Sequence, residues 1–170
     1  LPSEREMERL LDRVKAEIFK DRDNSAFLGS LMFSQKFSWN EEIPTICWDG
    51  ETIHWNPHFF LSLPEETRLT CLLHELWHIA RLFFLRRRDR DFLFWNYACD
   101  IRINNDLTNE GRSFRGIENS WRDLTVDQGP EGVLSEEQIY DLLVQGQIPP
   151  PPQSGAGGTG AFGKPDEGGD

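Results

Sequence analysis

Between residues 65 and 85 the chain reads as a helix with almost no polar face. Leu69, Leu72, Leu73, Leu76, Ile79, Ala80 and Phe83 fall on nearly every side of it. A helix that is apolar all round has no side to show to water, so the rest of the chain must be built around it. Ser62-Leu63-Pro64-Glu65 supplies an S-x-x-E capping box in front. Set into this apolar cylinder is His74-Glu75-Leu76-Trp77-His78. Imidazoles in such a place need hydrogen-bond partners or a metal ion. Residues four apart lie one above the other on a helix, so the two rings can close on one cation while Glu75 holds a water beside it. Two core histidines satisfied by hydrogen bonds are the bland alternative. The adjacent Glu and the buried setting favour the metal.

A catalytic zinc ion takes three protein ligands and leaves a position for water. All four histidines, His54, His58, His74 and His78, lie within or before the motif. The third ligand is therefore a carboxylate or an upstream His. Asp100 is the candidate. It stands in Trp95-Asn96-Tyr97-Ala98-Cys99-Asp100-Ile101-Arg102-Ile103-Asn104, which reads as the next helix. A carboxylate among such neighbours is expensive to bury unless it meets a cation. A structural ion pair with an arginine is the competing explanation. Asn96 and Asn104 flank Asp100 by one turn on either side and are candidates to orient it or a ligating His. Tyr97 and His54 are candidates to stabilise an oxyanion. On this reading His74, His78 and Asp100 bind Zn2+ and Glu75 is the general base.

Elsewhere, Ser3 and Glu6 cap an amphipathic helix over 3–20, and a short helix over 25–32 contains Gly29. Residues 37–55 read as β structure, with a strand over 43–48, an Asp49-Gly50 turn and a return strand over 51–55. Ile46 and Trp48 share one face, Thr45 and Cys47 the other, and Pro44 sets this strand at its start or at a sheet edge. Trp48 or Trp55 is a candidate side-chain pocket beside such an edge. Asn56 caps a short turn of helix with Pro57 in first position. Asp91 caps a helix over 92–107, residues 111–132 are irregular, and Ser135 with Gln138 caps a last helix to 144. From residue 146 prolines and glycines read as a flexible linker. The expected fold class is α+β, a small twisted sheet on a buried central helix with several helices around it. The expected organisation is a domain over 1–145 and a tail over 146–170, with a further domain attached beyond it.

A net charge of -11 repels phosphate backbones and argues against nucleic acid. No apolar run approaches the ~20 residues that span a bilayer, so no membrane partner is expected. Cys47, Cys71 and Cys99 have no paired spacing, which fits a reducing, cytoplasmic setting. Arg86-Arg87-Arg88-Asp89-Arg90 reads as a solvated helix end.

Five stretches stand in order along about 27–145: Ile43-Pro44-Thr45 with Asp49-Gly50; Asn56-Pro57; His74-Glu75-x-x-His78; Trp95-Asn96-x-Ala98-x-Asp100-x-x-Ile103-Asn104; and Ser135-x-Glu137-x-Ile139-Tyr140-x-x-Leu143. This set resembles a metallopeptidase-type domain of bacteria and phages that often precedes a von Willebrand factor A-like domain. The resemblance implies a zincin-like fold, a zinc peptidase acting on peptide or protein substrates, and an A-like domain beyond the linker. Relatives carry a His about a turn after the motif, followed by Arg. Here Ile79-Ala80-Arg81-Leu82-Phe83-Phe84 has none. The alternative is a non-proteolytic module in which zinc is structural or the fold presents a surface to a larger assembly. Glu75 separates the two, because a structural site has no use for it.

Overall fold

The computed structural model describes residues 1–20, 23–117 and 134–150. Helix α1 (Glu4–Glu17) starts where the Ser3 hydroxyl accepts the Glu6 N–H at 3.2 Å. It buries Met7, Leu11 and Val14 and ends in a short 3-10 turn, Ile18–Lys20. Helix α2 (Ser25–Phe33) passes close to that turn. A Cβ on Gly29 would meet the Phe19 ring at 2.5 Å, so the glycine leaves room for that ring.

Three short strands follow: β1 (Lys36–Trp39), β2 (Ile46–Trp48) and β3 (Thr52–Trp55). The sheet order is β1-β3-β2. The hairpin is present, with Cys47 opposite His54 and Ile46 and Trp48 buried on one face. The first strand begins at Ile46, not at residue 43. Pro44 has no N–H to give, and only the Thr45 carbonyl extends the ladder, accepting the Asn56 N–H at 2.7 Å. β2 is an edge. The sequence reading missed that β1 pairs in parallel with β3, Lys36 opposite Thr52.

Asn56 caps α3 (Pro57–Ser62), its side chain accepting the N–H groups of His58 and Phe59. The expected capping box at Ser62 is absent. Ser62 closes α3 and its hydroxyl donates to the Phe59 carbonyl at 2.6 Å. Pro64, which needs no N–H partner, opens α4 (Glu65–Ala80) instead. The central helix is also shorter than expected. Leu82 turns left-handed at φ 53°, and a separate short helix α5 (Phe83–Arg86) follows. The turn buries Phe83, whose carbonyl accepts the Trp95 indole N–H at 2.8 Å.

Asp91 caps α6 (Phe92–Asn109), accepting the Phe94 N–H. Ser135 and Gln138 form the expected capping box of α7 (Glu136–Val144). α6 packs on α4, and α7 packs on α6 through Ala98, Ile101, Ile139 and Leu143. One main core joins α1, α2, the sheet and α4. The architecture is α+β. Among the described residues no helix is long and apolar enough to cross a membrane. The expected irregular segment over 111–132 falls mostly outside the described residues, as does most of the 146–170 tail.

Because α4 is the shared wall of this core, Leu72→Ala (0% exposed) should destabilise the fold by ~2–5 kcal/mol. Urea unfolding should show a lower midpoint with an unchanged slope.

Candidate metal centre

α4 presents His74 and His78 one turn apart, and α6 crosses it so that Asp100 faces both. Asp100 Oδ1 lies 3.0 Å from His74 Nε2 and 2.7 Å from His78 Nε2, and the two Nε2 atoms are 3.0 Å apart. The three residues are 0–1% exposed. Asn104, one turn beyond Asp100, meets His74 Nδ1 through Oδ1 at 2.8 Å. With Nδ1–H donating to that oxygen, a neutral His74 turns the Nε2 lone pair toward Asp100 and His78.

Glu75 is 0% exposed, and neither carboxylate oxygen has a hydrogen-bond partner among the described residues. Burial pushes its carboxyl well above the ordinary range, and the negative charge of Asp100 adds to the effect. Asp100 goes the other way. Burial alone would raise it, but the His74 and His78 rings set against it hold it below the usual carboxylate range. Burial lowers His78 against the pull of Asp100. His78 Nδ1 has no partner among the described residues, and its ring packs edge-on against Phe83 at 5.1 Å between centroids.

These residues fit a cation. Three donor atoms of the kinds that bind zinc lie within 3.0 Å of one another. A tetrahedral site with bonds of ~2.0–2.1 Å separates its ligands by roughly 3.3 Å, so only a few tenths of an ångström of opening is needed. Among the described residues this is the one group of His, Cys, Asp or Glu side chains close enough to share an ion. Three donors are one fewer than the four that zinc takes.

The other candidates sit elsewhere. His54 Nε2 is held by Asp49 at 2.6 Å and His58 Nε2 by Glu41 at 2.7 Å, each tied to a surface carboxylate. Asn96 makes no hydrogen bond to the cluster. Tyr97 packs beside the α6–α7 contact, and burial followed by the Asp100 charge raises its hydroxyl. Trp48 and Trp55 are core residues, and the Trp48 indole donates to Gln35 at 2.9 Å. Sequence reasoning missed Glu136. It is 0% exposed and held by Arg81 at 2.5 Å and Arg86 at 2.8 Å, which clamps α7 to the end of α4. The signal available was Arg81 directly after the motif helix.

Two imidazoles from one helix and a carboxylate from the next, sealed inside an α+β domain, define a protein built around a candidate metal centre. The chain belongs to the family described as "Putative metallopeptidase domain", which matches residues 10–169. No curated protein and no solved structure matches the chain.

Glu75 gives a pH test. Its folded pKa lies above the unfolded value of ~4.3, so its contribution is present below that value and lost as pH rises through the folded pKa. In chelator-treated protein, the melting temperature of Glu75→Gln relative to the parent should therefore rise as pH goes from about 4 to about 8. A gap that stays flat would show that the carboxyl is not buried unpaired.

Proposed function

We propose that this domain is a zinc-dependent peptidase, with His74, His78 and Asp100 holding the ion and Glu75 acting as general base. The observation that carries the reading is the pairing of a convergent His-His-Asp cluster with a buried carboxylate next to it that has no other partner. Family membership supports a metallopeptidase, and the motif on a buried helix with a third ligand from the next helix suits a zincin-like arrangement.

When bound, zinc lowers the pKa of a water toward ~7 and polarises a substrate carbonyl. The chain's own residues do the rest. Asn104 fixes the His74 tautomer so that Nε2 faces inward. Asp100 supplies a negative ligand that its two histidine partners keep ionised. Glu75 takes a proton from the attacking water onto one oxygen and passes it to the leaving nitrogen. Its raised affinity for a proton suits that step, and a cation nearby brings it back toward neutrality. The β2 edge lies against α4, where an extended peptide substrate adds to the sheet by strand pairing.

One observation favours a second reading, a non-proteolytic module with a structural ion. His74, Glu75, His78 and Asp100 are all 0–1% exposed, so a substrate reaches them only after the domain opens. Three measurements separate the readings. The purified protein should carry about one zinc per chain, and Asp100→Ala should lower its affinity. Glu75→Gln should retain the ion while cleavage of a mixed peptide library falls by at least ~100-fold. Retained zinc with no cleavage by the parent protein would establish the structural role. A folded protein that takes up no metal would sink both.

A further inference from the structure

We propose that the groove between α1 and the outer edge of β1 receives an extended peptide segment, supplied by a partner protein, with Lys or Arg at alternate positions. The segment joins the sheet as a further strand. This binding is independent of the metal centre.

The backbone of β1 is half used. Lys36 N–H donates to the Glu51 carbonyl at 3.1 Å and Asn40 N–H to the Trp55 carbonyl at 3.0 Å. In a parallel ladder alternate residues face the same neighbour, so Lys36, Ser38 and Asn40 turn toward β3. Phe37 and Trp39 then turn their backbone groups outward, where among the described residues β1 has no neighbouring strand and the Ser38 hydroxyl reaches the Trp39 carbonyl at 3.4 Å. An open edge of this kind is a template for strand addition.

What lies opposite that edge selects the occupant. A groove of about 660 Å³, within the ~300–1,000 Å³ range of ligand sites, runs between β1 and α1. From α1 it is lined by Glu4, Glu8 and Asp12. All three are exposed, and none has an ion-pair partner among the described residues. Lys15, whose ammonium sits 4.0 Å over the Phe37 ring, is the one cation on the wall. Three carboxylates against one ammonium leave the groove negative.

The spacing also fits. Residues four apart on a helix advance ~6 Å. Alternate residues on a strand advance ~6.6 Å and share a face. A strand laid along β1 with a basic side chain at every second position therefore meets Glu4, Glu8 and Asp12 in turn. The groove wall holds one more unmet group. Trp55 is 1% exposed, lines the groove, and its indole N–H has no acceptor among the described residues. An incoming backbone carbonyl supplies one. A second copy of this chain is a poor occupant, because edge-to-edge pairing brings the two sets of carboxylates together. So is an acidic segment of the chain itself, whose net charge is -11.

The test uses the whole chain and a fluorescein-labelled Lys-Val-Lys-Val-Lys-Val peptide, read by anisotropy at low and at physiological salt. The peptide should bind, and a Glu-Val repeat of the same length should not. Methylating its alternate backbone nitrogens keeps every charge and blocks the ladder, so affinity should fall at least about tenfold. The combined variant Glu4→Gln, Glu8→Gln, Asp12→Asn should weaken binding by about tenfold, and Lys15→Gln should tighten it by about twofold to fivefold. Full binding by the methylated peptide would reduce the effect to charge attraction and overturn the proposal. Unaltered affinity in the combined variant would overturn it as well. So would self-association of the parent chain through this edge that the peptide fails to displace.

Discussion

Two imidazole nitrogens and a carboxylate oxygen meet in a place that water does not reach, and the rest of the structure follows from that. Asp100 Oδ1 is an acceptor, and the Nε2 of a neutral His74 is another once Nδ1–H is engaged by Asn104. His78 Nε2 lies within 3.0 Å of both. Such a meeting is repulsive unless a ring N–H or a cation lies among the three atoms. A neutral His78 meets the need in part by carrying its single proton on Nε2 and donating it to Asp100, and burial lowers the ring's tendency to take a second. A divalent cation answers all three atoms at once. It also gives the buried Glu75, with no partner of its own, a reason to be ionised.

The fold delivers these atoms by fixing how two helices cross. α4 alone sets the two rings, since their spacing is that of one helical turn. Asp100 arrives only because α6 packs across α4, and α6 is held from behind by α7. Glu136 is central to that hold. It is fully buried between the guanidinium groups of Arg81 and Arg86. Buried ion pairs contribute little net stability, but an arrangement that separates the partners strands a buried charge and is strongly disfavoured. Here the arrangement in question is the seat of α7 against the end of α4 and α5. The left-handed turn at Leu82 is part of the same device, because it brings Arg86 back beside Arg81. Strain of that kind costs about 1–3 kcal/mol, which the burial of Phe83 offsets.

Much of this was legible in the sequence wherever the cause was local. Ser3, Asn56, Asp91 and Ser135 announce helix starts because their side chains accept N–H groups within the next three residues. Ser62 misled because Pro64 stands between it and the helix it would cap. Asp100 was within reach of sequence reasoning because an isolated carboxylate in an apolar helix demands a positive partner. What escaped was non-local. β1 finds its partner only after the chain has crossed to the far side of β3 and returned, a pairing no window of sequence displays. Glu136 looked like an ordinary acidic residue of a first helical turn. Its burial depends on arginines some 50 residues away, at the end of a different helix.

A three-stranded sheet has two edges, and an unprotected edge invites unwanted pairing. The two edges here are guarded differently. β2 is three residues long and its ladder stops at Pro44, so little backbone is offered, and what is offered lies beside the metal-site helix. β1 is longer and is guarded by charge. Lys36 stands exposed on it and the α1 carboxylates stand across the groove. In a chain this acidic, that guard turns away copies of the chain and most of its own surface. It leaves the edge open to one kind of strand, a basic one. Charge selects at one edge, and shortness at the other leaves only the stretch beside α4, so neither edge offers copies of this chain a long free strand to pair with.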